Sequence, residues 1–314
     1  MNSKSEAMTS ADRSNTFVGV ELGGTKIVVA SSIDGTELER RVEFPTSDPD
    51  RTLNEIREAT RSVAGEQPIE AIGIASFGPL DLRHSSDTFG HLFDTPKPGW
   101  IGVDVVGGVM SGIEVPFGVD TDVNAAVRAE ATFGAGKDFD HVAYLTVGTG
   151  IGGGIWTDGQ VLHGANHPEI GHIRVPRHPG DQHKSSCPFH GDCLEGMASG
   201  TAVRQRWGSS GESLGHLAPS ATKLLAWYLA RGISGLCAVV PVDIVVIGGG
   251  ISKLAGFHAE IAAALQEASA LYPPVPFAEG GPVVVPPALG DDAGVLGAIE
   301  LAKGARSESA ATRG

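Results

Sequence analysis

Cys187, His190 and Cys193 stand three residues apart in the turn Cys187-Pro188-Phe189-His190-Gly191-Asp192-Cys193. Thiol and imidazole donors so spaced suit a zinc ion, and a structural zinc takes four protein ligands in a tetrahedron. The segment His167-Pro168-Glu169-Ile170-Gly171-His172 offers His172 as the first choice for the fourth, with His167, His178 and His183 as rivals. Nothing in the pattern marks an open position with an activated water. The expected ion is therefore structural Zn2+, a clamp that holds the neighbouring Glu169 and Glu195 in place. The competing reading is a pair of buried thiols with incidental histidines.

A second constellation is acidic. Asp120-Thr121-Asp122-Val123-Asn124 follows the apolar stretch 115–119 and precedes a helix-forming run. A carboxylate at the C-terminal end of a strand faces the crevice where open α/β sheets bind ligands. Aspartate is also a common helix N-cap, which is the competing explanation. Phosphoryl transfer asks the protein to position an acceptor hydroxyl, accept its proton and neutralise phosphate charge. Asp122 is the candidate general base, and Glu21 the candidate that orients Mg2+ through water, since Mg2+ keeps part of its hydration shell.

Three segments run an apolar strand into a cluster of small residues: Glu21-Leu22-Gly23-Gly24-Thr25-Lys26, Val147-Gly148-Thr149-Gly150 and Ile247-Gly248-Gly249-Gly250. Glycine permits φ > 0 and lets N–H groups approach a phosphate unobstructed, and Thr25, Lys26 and Thr149 add further donors. A single cluster would be a tight hairpin; three after strands point to phosphate cradles. None has P-loop or dinucleotide-fingerprint spacing, which argues against a Walker-type ATPase and a dehydrogenase.

The 314 residues include 23 basic and 37 acidic side chains, a formal net charge of −14. Such a surface repels phosphodiester backbones and anionic lipid, so neither nucleic acid nor a membrane is expected as a partner. An anionic ligand must be held by local backbone N–H groups, a metal or a few lysines. No apolar stretch approaches the roughly 20 residues that span a bilayer, and residues 1–16 carry no apolar signal core. Three cysteines do not make a disulfide framework; the expected compartment is the reducing cytoplasm.

The scaffold that must position these groups alternates short apolar strands with helical segments, an α/β pattern. Strands are expected at 17–21, 26–31, 40–44, 71–75, 116–120, 142–147, 153–156, 244–247 and 283–285, and helices near 51–63, 104–111, 123–134, 198–207, 218–239, 254–268 and 293–303. Leu224, Leu225, Tyr228, Leu229, Leu236, Cys237 and Val240 recur at helical spacing and mark a core face. The length admits two domains: an N-terminal α/β domain over 17–121 and a C-terminal one over 122–292 with a zinc-binding insertion near 167–196. A last helix over 293–304 is expected to pack back on the first domain, with 1–16 and 305–314 as tails.

Taken together in this order, Glu21-x-Gly23-Gly24-Thr25-Lys26, Asp122-x-Asn124, Glu169-x-Gly171-His172, the Cys/His cluster and Gly248-Gly249-Gly250 resemble the ROK family of sugar kinases over roughly residues 17–303. The resemblance is to its fructokinase branch in having Glu21 where most members carry Asp, in His190 replacing a cysteine, and in Thr95-Pro96-Lys97-Pro98-Gly99-Trp100. Thr121 departs from glucokinase-type members, which often have Asn there. The resemblance implies a two-domain actin-like (ribonuclease H-like) sugar kinase fold with a cleft between the domains, commonly dimeric. It implies a hexose and ATP as ligands, with fructose as acceptor, and Asp122 as base. Asn124, Glu169, His172, Glu195 and Trp100 would face the sugar, with His172 shared between zinc and sugar, and the second and third glycine turns would hold ATP.

Other readings compete. Sugar-sensing repressors of the same family carry an N-terminal helix-turn-helix module, for which the 16 residues before Phe17 give no room. A silent sugar-binding protein would not need Asp122 and the phosphate turns. A mannokinase, glucokinase or acylamino-sugar kinase differs by a few hydroxyl contacts.

Overall fold

The computed structural model describes residues 15–269 and 283–312. Most of the expected 1–16 tail lies outside these, as do residues 313–314. The chain divides into two units, 1–122 with 298–314, and 123–297.

In the first unit, β1 Thr16–Leu22, β2 Lys26–Ser32 and β3 Arg40–Pro45 form an antiparallel meander. β4 Ile69–Ser76 pairs parallel with β1, and β5 Phe117–Thr121 parallel with β4, giving the order β3-β2-β1-β4-β5. β4 is buried from Ala71 to Ser76, so it reads as a continuous run of small and apolar residues rather than an alternation. Helix α1 Pro49–Ala64 begins where the Asp48 side chain accepts the Arg51 N–H at 3.0 Å and ends at Gly65, φ 64°. Its Leu53, Ile56 and Val63 join Val20, Ile72 and Ile74 in one core, which helix α2 Val105–Met110 completes.

The second unit repeats this plan. After α3 Asp122–Phe133, the strands β6 His141–Val147, β7 Ile151–Thr157 and β8 Gln160–Val161 form a meander. β9 Ile244–Gly248 and β10 Val283–Val285 extend it in parallel from β6, in the order β10-β9-β6-β7-β8. Between β8 and β10 come α4 Leu194–Ala198, α5 Gly200–Trp207, α6 Ala218–Cys237 and α7 Phe257–Ser269. Leu225, Leu229 and Ile233 of α6 pack with Leu145, Ile247 and Ile261.

Three elements differ from expectation. The helix expected at 198–207 starts only at Gly200, because Ser199 leaves the helical region and its hydroxyl caps α5 by accepting the Ala202 N–H at 3.2 Å, and the short α4 that precedes it is not among those expected. The two-residue β8 is too short to show a period. The last helix, α8 Ala293–Thr312, runs well past residue 304, so 305–312 is not a tail. Ala305, Arg306, Glu308, Ala310 and Ala311 are good helix formers, and Arg306 pairs with Glu70 of β4. α8 lies close against the first sheet: a Cβ on Gly73 would stand 1.6 Å from the Ala298 carbonyl oxygen, so only glycine fits there. Among the described residues no helix is long and apolar enough to cross a membrane.

Candidate active site and metal centre

His172 ends a 3-10 turn over Ile170–His172, and Cys193 caps α4. Leu194 N–H donates to the Ile173 carbonyl at 2.9 Å, stitching the two segments together. Cys193 Sγ thereby lies 3.7 Å from His172 Nδ1. Cys187 Sγ is 3.9 Å from that nitrogen and 3.6 Å from His190 Nδ1, and the two Nδ1 atoms are 3.2 Å apart. A tetrahedron with metal–nitrogen bonds of about 2.0–2.1 Å and metal–sulfur bonds of about 2.3 Å has edges of roughly 3.3–3.8 Å, so the quartet fits zinc. Burial lowers the His172 pKa, favouring the neutral imidazole that ligates. Burial also pushes the Cys193 thiol up to about 11, so a cation is what would hold it as thiolate. The rival histidines lie elsewhere: His167 Nδ1 is 3.4 Å from Glu169 Oε1, His178 Nδ1 accepts the Gly180 N–H at 3.1 Å, and His183 N–H donates to Asp181 at 3.0 Å.

The glycine turns of the second unit come together. Gly148-Thr149-Gly150 joins β6 to β7, and the start of α5 closes on it: Gly200 N–H reaches the Gly148 carbonyl at 2.7 Å, and Thr201 Oγ1 the Thr149 carbonyl at 2.8 Å. Gly248-Gly249-Gly250 leaves β9, the parallel neighbour of β6. Gly249 has φ 89°, and a Cβ there would meet the Val147 backbone at 2.6 Å. Both turns therefore lie at the carboxyl ends of adjacent parallel strands, where open α/β sheets bind ligands. Half-buried Glu195, two residues beyond Cys193, accepts the Ile151 N–H at 3.0 Å and so reaches the same turn.

In the first unit, Gly23 N–H donates to the Lys26 carbonyl at 3.0 Å and closes the hairpin tip between β1 and β2. Glu21 lies one residue from the end of β1, opposite Val28 and Ala75. Nothing stands within 4 Å of where a Gly24 Cβ would be, so the backbone there is open to approach. Lys26, expected at the phosphates, places its Nζ 3.2 Å from Glu43 Oε2 on the facing β3. Two residues to which the sequence reading gave no role hold this turn: Thr46 Oγ1 donates to the Gly23 carbonyl at 2.7 Å and Lys97 Nζ to the Gly24 carbonyl at 2.6 Å. The signal for Lys97 was its place in the Thr95–Trp100 segment; Thr46 had none.

Asp122 is the first residue of α3, directly after β5, and is partly exposed. Asn124, two residues further on, is buried with its Nδ2 3.4 Å from His163 Nε2. Trp100, expected against the sugar, is instead wholly buried. Its Nε1 donates to the Ser47 carbonyl at 3.0 Å and its ring meets Phe77 edge-on at 5.3 Å. A ring so enclosed serves the core and anchors the 95–100 segment rather than lining a pocket.

The family model described as ROK family matches residues 17–305. The fructokinase of Zymomonas mobilis is 39% identical over 297 residues, covering 92% of this chain and 97% of that protein. The fructokinase of Pediococcus pentosaceus is 33% identical over 293 residues, covering 91% and 97%. Among solved structures, the ROK hexokinase from Thermus thermophilus matches with a TM-score of 0.76 at 28% identity, covering 93% of this chain and 99% of that one. The two mixed sheets with their helices have the actin-like α/β fold of sugar kinases.

Proposed function

We propose that this chain, which belongs to the ROK family, transfers the γ-phosphoryl group of ATP to the 6-hydroxyl of fructose, giving fructose 6-phosphate, ADP and a proton. The observation that carries the reading is the pairing of two glycine turns at the carboxyl ends of β6 and β9, where Gly249 abuts Val147. That arrangement suits the phosphates and adenosine of a nucleotide. The two fructokinases above, similar over nearly their whole length, support fructose as acceptor.

In this reading Asp122 accepts the hydroxyl proton as the sugar oxygen forms its bond to the γ-phosphorus and the bond to the β–γ bridging oxygen breaks. Mg2+, when bound with the nucleotide, would supply charge neutralisation, and Glu21 would orient it through water. Gly23, Gly24 and Thr25 approach the phosphates through the first turn. Glu169, Asn124 and Glu195 hold sugar hydroxyls, as does the His172 ring nitrogen turned away from the cluster. His172, Cys187, His190 and Cys193 would hold zinc, which fixes the His172 tautomer. A cytoplasmic homodimer belongs to the same reading, and the three free cysteines suit a reducing compartment.

Phosphorus NMR of the protein with ATP, Mg2+ and fructose tests the reaction. A sugar monophosphate at the 6-position is expected to grow as ATP declines. ATP lost to inorganic phosphate, or left intact, would overturn the reading.

A further inference from the structure

We propose that Lys97 supplies the ammonium that meets the transferring phosphoryl group at the first glycine turn. The inference rests on the kinase reading above and adds to it a residue in contact with the reacting group.

Two lysines flank this turn and are held by different partners. Lys26 Nζ is held in an ion pair with Glu43 on the facing strand, a carboxylate it shares with Arg41 at 2.7 Å. Lys97 arrives from 73 positions along the chain and sets its Nζ 2.6 Å from the Gly24 carbonyl oxygen. That partner is neutral, so the full positive charge stays beside the turn, and only one of the three ammonium donors is used in the bond. Burial lowers the Lys97 pKa from its ordinary value, as expected for a cation drawn partly out of water. An arriving anion would offset that loss.

The surroundings hold the ammonium in place. Trp100, wholly buried, donates its backbone N–H to the Lys97 carbonyl at 3.2 Å, and Thr95 Oγ1 accepts the Lys97 N–H at 3.4 Å. Pro96 and Pro98 restrict the backbone on either side. Three consecutive carbonyls of the turn are engaged as well: Gly23 by Thr46 Oγ1 at 2.7 Å, Gly24 by Lys97, and Thr25 by Thr46 N–H at 2.9 Å. Oxygens tied back in this way do not repel phosphate, and the space above Gly24 is open. The geometry thus joins a fixed cation to an uncrowded backbone, the pairing that stabilises charge developing on a phosphoryl group.

The test is steady-state turnover of the full chain with ATP and fructose, as wild type, Lys97→Ala and Lys97→Gln, with and without added ethylammonium. Both substitutions are expected to lower kcat by about 10²-fold, the loss usual for one donor to developing charge, and ethylammonium to restore Lys97→Ala about tenfold. Glutamine can still donate to Gly24 but carries no charge, so near wild-type turnover in Lys97→Gln overturns the proposal. A slowed Lys97→Ala that does not respond to ethylammonium also overturns it and leaves Lys97 as a structural tie. A wild type without hexose-dependent turnover overturns the kinase reading itself, which separates that failure from the others.

Discussion

Glu195 Oε2 and the Ile151 N–H are 3.0 Å apart, and a Cβ on Gly150 would stand 2.5 Å from the same oxygen. The helix capped by Cys193 of the Cys/His quartet is thereby tied to the glycine turn between β6 and β7. Glu195→Ala strands a buried N–H, which costs about 1–3 kcal/mol. Glu195→Gln keeps an acceptor there and is expected to lose less than half as much. Urea denaturation of both variants checks this, and equal losses would break the link.

The Cys/His quartet makes a second expectation. Metal analysis of the purified protein is expected to find about one zinc per chain, and a closed site of this kind contributes directly to folding. Cys187→Ser and Cys193→Ser are expected to lose the zinc and to melt at lower temperature, as the wild type does with a strong chelator. A parent protein free of zinc, or a melting point indifferent to chelation, would remove the clamp.

Asp81 should govern part of the acid response. Its wholly buried carboxylate accepts Arg83 Nε and Nη2, both at 2.8 Å, Ser86 Oγ at 2.6 Å and Thr88 Oγ1 at 2.8 Å. The Arg83 guanidinium above all, with the two hydroxyls, holds the carboxyl well below the usual range. An unfolded aspartate titrates near about 3.9, so as the pH falls past that value the unfolded chain takes the proton first. The stabilisation is therefore complete above that pH and lost progressively below it. Asp81→Asn should be less stable at neutral pH and show a flatter dependence in acid. Urea midpoints across the acid range decide this; parallel curves for the two proteins would contradict it.

Much of this architecture is readable in the residues themselves. β4 and β9 show as continuous apolar runs because strands central to a sheet are buried on both faces, and α6 shows as a stripe because one face packs on β6 and β9. Cys187, His190 and Cys193 are legible from local spacing. The choice of His172 over His167, His178 and His183 is only partly legible, because it depends on the Leu194–Ile173 hydrogen bond between distant segments. Trp100 misleads because only the family resemblance set it against the sugar, whereas the indole turns inward to Phe77 and Ser47. The Lys97–Gly24 bond leaves no local trace, since nothing periodic joins residues so far apart. The Asp81 cluster sits in an aperiodic loop for the same reason. Residues 305–314 show no periodicity and read as a tail, but the alanines there and the Arg306–Glu70 pair carry α8 on to Thr312.

Asp122, at the start of α3, is the proposed general base. Asp122→Asn keeps size and polarity but cannot take a proton, so turnover should fall by at least about 10²-fold. Sugar and nucleotide binding, followed by calorimetry, should stay near those of the wild type. Unchanged turnover would take Asp122 out of the reaction.

The most direct measurement is coupled ADP release over a panel of fructose, mannose, glucose and N-acetylmannosamine. A site that pairs each hydroxyl of its own substrate discriminates strongly, so fructose is expected to lead by at least about tenfold in kcat/KM. Equal rates across the panel would contradict the assignment of fructose, and ADP release that does not depend on any hexose would contradict the kinase itself.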